Sequence, residues 1–104
     1  MPINVIATLK VKPGSAEAAR SILKRAVAAV HSEPGCSLYS LHEGDGCFVF
    51  VEEWSDAEAL QAHNAGAAVT RMVEEVGGHL DGAADIIVAR QVVAGDPAKG
   101  KLRP

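Results

Sequence analysis

Aromatic side chains are scarce in this chain: two Phe, one Tyr and one Trp make up 4% of it. Positive charge is also short, with 10 Lys and Arg against 13 Asp and Glu and a net charge of −3. A nucleic-acid surface needs clustered cations, commonly interleaved with stacking aromatics, so that class of partner is excluded. Long apolar runs are missing too. None approaches the roughly 18 residues that a membrane span requires. Met1-Pro2-Ile3-Asn4 has no basic stretch leading into an apolar one, so the expected location is cytoplasmic.

Cysteine is limited to Cys36 and Cys47. These are too few for a disulfide framework and flank an expected hairpin turn out of register, so both are read as reduced thiols. His31, His42 and His79 fall on different elements without ligand spacing, and no metal site is expected. Gly44-Asp45-Gly46 and Gly77-Gly78 do not lead from a strand into a helix, so no phosphate loop is implied.

What the chain does contain is pattern. At 104 residues it has room for about one domain, and 48% of it is apolar, enough for a packed core. Ile3 to Val11 alternates with period two, which predicts a strand ended by Lys12-Pro13-Gly14. Ser15 is the expected N-cap of an amphipathic helix carrying Ala19, Ile22, Leu23, Ala26, Val27 and Val30. That helix should stop at Glu33-Pro34-Gly35, because proline disfavours helix in the residue before it. Cys36–Glu43 and Cys47–Trp54 form the expected hairpin. Ser55 to Glu58 fits a capping box, opening a helix through Leu60 and His63 that Gly66 breaks or bends. A further helical stretch carries Val69, Met72, Val73 and Val76, and Ala84–Val93 reads as a last strand.

The fold class that follows is α+β, ferredoxin-like, in the order β-α-β-β-α-β with an antiparallel sheet. Residues 1–94 form the domain and 95–104 an irregular tail. Phe48 and Phe50 point to one face while Cys47, Val49 and Val51 point to the other; Ile86 and Val88 likewise oppose Ile87 and Ala89. Right-handed crossovers put both helical regions on one face, so the other needs cover. A second copy of the chain is the simplest cover, which predicts a homodimer.

Several stretches carry a family resemblance: Asn4-Val5-Ile6-Ala7-Thr8, Val11-Lys12-Pro13-Gly14, Glu33-Pro34-Gly35-Cys36 and, above all, Glu53-Trp54-Ser55-Asp56-Ala57-Glu58-Ala59-Leu60-Gln61-Ala62-His63. Over about residues 3–93 the chain resembles the antibiotic-biosynthesis-monooxygenase family, in its quinol-monooxygenase-like branch. The resemblance implies a dimeric α/β barrel. It also implies cofactor-free oxidation by O₂ of a small electron-rich aromatic of quinol or anthrone type, with no cofactor. Haem-degrading relatives carry an Asn, a Trp and a His at positions held here by Ala7, His63 and Val73, which disfavours that activity.

Such an oxygenase needs a base, donors for an oxyanion and a dry cavity. His63 is the candidate base, on the same helical stripe as Ala59 and Leu60, where removal from water favours the neutral, proton-accepting ring. The alternative is a histidine that packs at the sheet edge. Trp54 is a candidate donor through its indole N–H, or else a core anchor. Tyr39 is a candidate phenol donor, or else a cross-strand packing residue. Asn4 and Arg71 are weaker candidates, readable as surface polar groups. His63 and Trp54 are expected to approach one cavity between helices and sheet. The alternative function is a non-catalytic dimeric ligand-binding or stress-related module on the same fold.

Overall fold

The computed structural model describes residues 1–102. Eight alternating residues give β1 (Ile3–Lys10). Its inward side chains Val5, Ala7 and Leu9 are buried under α1 (Ala16–Val30), whose own core stripe is Ala19, Leu23, Ala26 and Val30. β2 (Cys36–Gly44) and β3 (Cys47–Trp54) form the hairpin. They are followed by α2 (Ala57–Asn64), α3 (Ala67–Val76), a single 3₁₀ turn at Gly77–His79 and the short β4 (Asp85–Ala89). The sheet order is β2-β3-β1-β4, and every neighbouring pair is antiparallel. This is the α+β order read from the sequence, with the helices on one face.

Register fixes the two faces. Ile3, Val5, Ala7 and Leu9 stand opposite Trp54, Glu52, Phe50 and Phe48 on the helix side. Asn4, Ile6 and Thr8 stand opposite Glu53, Val51 and Val49 on the outer side. Cys36 pairs with Trp54 and Cys47 with Gly44, at opposite ends of the hairpin, and both are free thiols.

Several expected boundaries move, each for a local reason. The α2 cap is Asp56 rather than Ser55: its carboxylate accepts the Ala59 amide at 2.8 Å, while the Ser55 amide is drawn away to the Gly35 carbonyl at 2.9 Å. Ser15 makes no side-chain cap; its hydroxyl is 3.1 Å from Nδ1 of His79. Helix α1 closes at Val30, and Glu33 lies in the turn beyond it, with its amide on the Val30 carbonyl. Val11 lies beyond β1, with its amide on the Gly46 carbonyl at 3.0 Å and an isolated bridge to Leu80.

The last strand is shorter than Ala84–Val93. Ala89 already stands opposite Asn4, so later residues would have to pair with the chain's first three, among them Pro2, which has no amide hydrogen. Residues 90–102 are irregular. They are tied back by Gln91, which donates to Glu53 at 3.2 Å and accepts from the Leu102 amide. Of the tail expected over 95–104, Arg103 and Pro104 lie outside the described residues.

Candidate functional site

The inward stripe of β3 reads Phe48, Phe50, Glu52, Trp54, and all four are buried. A carboxylate thus stands where period two asks for an apolar side chain. Tyr39 on β2 pairs across from Glu52 and is 3% exposed. Helix α2 reverses over this corner and brings His63 down, 5% exposed, one turn beyond Ala59. Its imidazole lies 4.3 Å from the Trp54 ring centre in a tilted stack and 5.4 Å from that of Tyr39, edge-on. Tyr39 in turn packs on Phe50 at 4.7 Å.

The polar groups of Trp54, Glu52 and His63 each have a partner here. The Trp54 indole donates to Oε1 of Glu52 at 2.9 Å. Nδ1 of His63 lies 2.7 Å from Oε1 of Glu33. A carboxylate only accepts, so in this pairing Nδ1 carries the hydrogen. Burial pushes the Glu52 carboxyl above its ordinary range, and the Trp54 N–H and His63 oppose that shift. Burial, reinforced by the charges of Glu52 and Glu33, pushes the Tyr39 phenol well above its usual value. Tyr39 therefore stays a hydrogen-bond donor and does not become a phenolate. The same three causes, burial first, raise the Cys36 thiol.

Between sheet and helices lies a cavity of about 290 Å³. Tyr39, Glu52, His63 and Asn64 form its polar part, and Val5, Ala7, Leu60 and Met72 contribute to a largely apolar remainder. Its rim is at the β4 side, where Val73, Ile86 and Val88 are 58%, 62% and 60% exposed. The volume is at the small end of the range for ligand pockets, about 300–1,000 Å³. Ala7, His63 and Val73, the positions that separate this chain from haem-degrading relatives, all line it. On the far side of His63 is a shallower groove of about 780 Å³ bordered by Glu33, Pro34, Asp56, Glu58, Ala62 and Arg71.

His63 and Tyr39 therefore meet at one cavity, but Trp54 does not line it. Trp54 is fully buried behind His63 with its N–H spent on Glu52, which corrects the expectation of a donor to substrate. His63 is also not a merely desolvated imidazole, since it is paired with Glu33. Asn4 is buried rather than a surface group. It donates to the Glu52 carbonyl and approaches Glu53, and its Oδ1 is left without a partner. Arg71 does sit at the surface, beside Glu75 at 3.4 Å.

Two site residues were not picked out from the sequence. Glu52 had a signal, as the odd member of an apolar stripe. Glu33 had none, because its partner is 30 positions away and only the turn after α1 brings them together. Among the described residues no group of three or more His, Cys, Asp or Glu is placed to hold a metal, and no helix is long and apolar enough to cross a membrane.

Four antiparallel strands, helices on one face and a cavity with a buried polar end define an α+β domain of the ferredoxin-like class. The family model for antibiotic biosynthesis monooxygenase matches residues 2–75, and the chain belongs to that family. The matched span runs from β1 almost to the end of α3 and includes Glu33, Tyr39, Glu52, Trp54 and His63. An uncharacterized protein of Synechocystis is 37% identical over 65 residues, 60% of this chain and 44% of that one. The matched region is thus less than half of that relative's length. Among solved structures, one from Mycobacterium tuberculosis superposes with a TM-score of 0.84 at 24% identity, covering 92% of this chain and all of that one, a likeness of fold. The crystal structure of an antibiotic biosynthesis monooxygenase gives 0.81 at 30% identity, with 86% and 98% covered.

Proposed function

We propose that this chain is a cofactor-independent monooxygenase that oxidises a small, electron-rich, quinol- or anthrone-like aromatic with O₂. The observation that carries the reading is the cavity of about 290 Å³ whose polar lining includes His63, Tyr39 and Glu52. In this reading His63 accepts the acidic substrate proton at Nε2. The resulting anion passes an electron to O₂, and the two radicals combine at the ring carbon. Tyr39 donates its O–H to the substrate oxygen as negative charge gathers there. For an anthrone-like methylene the balance closes on the substrate itself: one oxygen atom becomes the carbonyl, and the other leaves as water with the two methylene hydrogens. The apolar wall keeps bulk water from the anion. Trp54 supports the site from behind, by its stack on His63 and its hydrogen bond to Glu52.

The working unit in this proposal is a homodimer. Ile6, Val49, Val51 and Ile87 share the outer face, and Ile87 is 60% exposed in the single chain. A second sheet laid on that face would cover them. The test is oxygen uptake by purified protein with a panel of hydroquinones and anthrones, without added flavin or metal. His63→Ala should lower the rate by about a hundredfold while the protein stays folded. Binding of these aromatics with no oxygen consumed would instead assign the ligand-binding module.

A further inference from the structure

The pair formed by His63 and Glu33 bridges two spaces that the fold keeps apart. His63 borders both the inner cavity and the outer groove, whereas Glu33 borders only the groove. The imidazole is 5% exposed and the glutamate side chain 21%, so the pair runs from the interior to the surface. Glu33 is also held in place by its backbone. Its amide bonds the Val30 carbonyl at 2.9 Å, its carbonyl accepts from Cys36 at 3.3 Å, and the next carbonyl but one, that of Gly35, is bonded by Ser55 at the start of the segment that carries His63.

We infer that Glu33 is a positioning residue for His63 and the proton outlet of the inner cavity. It holds the ring with Nδ1 protonated and Nε2 free for the cavity, and it exchanges protons with water in the groove. The inference rests on the monooxygenase reading only for the reaction that supplies the proton; the pair and its route to solvent do not depend on it. A proton taken at Nε2 makes an imidazolium. The proton on Nδ1 then moves to Oε1 of Glu33 and on to groove water. When the peroxide O–O bond breaks, the path runs backwards: Nε2–H protonates the departing oxygen, and Glu33 returns a proton to Nδ1. A buried base with no outlet would keep its first proton at the buried end of the cavity, so the carboxylate gives the base a route to reset.

Charged and titratable groups face this pair from several elements. Glu52 and Tyr39 approach from the sheet, Cys36 from the start of β2, and Asp56, Glu58 and Arg71 around the groove. A test must therefore change Glu33 without moving these. Glu33→Gln keeps an oxygen able to accept from Nδ1–H but can no longer take the proton; Glu33→Ala removes both functions.

Nitrogen NMR of histidine-labelled protein at about pH 8, above the ordinary histidine range, reads the tautomer directly. The expected result is the Nδ1–H tautomer in the parent and in Glu33→Gln, and loss of that preference in Glu33→Ala. Solvent exchange of the Nδ1 proton should slow by about tenfold or more in Glu33→Gln, because the first acceptor on its route is gone. An Nε2–H tautomer in the parent, or exchange in Glu33→Gln as fast as in the parent, would overturn the inference. Neither measurement needs turnover. A parent protein that consumes no oxygen with any quinol therefore defeats the proposed function and leaves this one to be decided by the spectra. If turnover is found, Glu33→Gln should lower kcat about ten- to a hundredfold with KM little changed.

Discussion

Gly35 offers a sharp test of how this corner is built. Its φ is +79°, a region that L side chains avoid. A Cβ there would lie 2.5 Å from the Ala59 Cβ and 2.7 Å from the Ser55 hydroxyl. The hydroxyl can rotate away, but the Ala59 methyl is fixed to α2. Two costs therefore add in Gly35→Ala: about 1–2 kcal/mol for the left-handed backbone, and about 1–3 kcal/mol for overpacking relieved by shifting the helix. The expected loss is about 2–5 kcal/mol, a large part of the ~5–15 kcal/mol that holds a domain of this kind together. Gly14→Ala is the control: its φ is +82°, and an added Cβ meets nothing within 4 Å. It should lose only the backbone part, about 1–2 kcal/mol. Urea denaturation of the three proteins measures the difference, and Gly35→Ala should also melt roughly 10 °C or more below the parent. Ala59 precedes His63 by one turn, so the shift that relieves the clash also moves the imidazole away from Glu33. Equal losses for the two alanine variants would refute the close packing of this turn against α2.

Three further expectations can be measured on the same protein. Glu52→Gln should stabilise the fold at neutral pH. Burial raises the carboxyl above its unfolded value, so its penalty is absent below the ordinary carboxylate range and grows as pH rises through the unfolded and then the folded pKa. Thermal melts should show the gain closing as the solution is acidified; a Gln variant less stable at neutral pH contradicts the sign. Sedimentation should give a dimer at about micromolar concentration, and a stable monomer would reject the covered outer face. Cys36, its thiol raised by burial and by Glu33 and Glu52, should alkylate more slowly than an unhindered thiol. Rapid labelling in the native protein would argue against that environment.

The elements were legible because local patterns and tertiary needs agree. The alternation of Ile3 to Lys10, the α1 stripe and the Gly66 break each survive into the fold, and register then follows from the hairpin turn. Boundaries moved where a longer-range bond outbid a local one. Asp56 rather than Ser55 caps α2, with the Ser55 amide held by the Gly35 carbonyl, and β4 stops near the end of its partner strand, just before Pro2. The site was half legible. His63 could be placed inward by its spacing from Ala59 and Leu60, and Tyr39 by its strand. What holds His63 could not be read, since the Glu33 turn and α2 meet only after α2 has folded back.

Glu52 is the residue that most distinguishes a site from a core at this corner. Its stripe-mates Phe48, Phe50 and Trp54 are 1%, 1% and 0% exposed, and an apolar residue at position 52 would continue that packing without desolvating a carboxyl. The carboxyl is retained with one indole N–H on Oε1, and that donor and His63 both oppose the rise that burial imposes on it. A domain selected for stability alone gains nothing from placing Glu52 and His63 on one wall, with Tyr39 driven to remain protonated beside them. In a cavity that has to take a proton, shelter an anion and hand the proton back, all three have work that an apolar wall cannot do. Under the proposed function the buried polar cluster has a use at the cavity that the packing of the sheet does not supply.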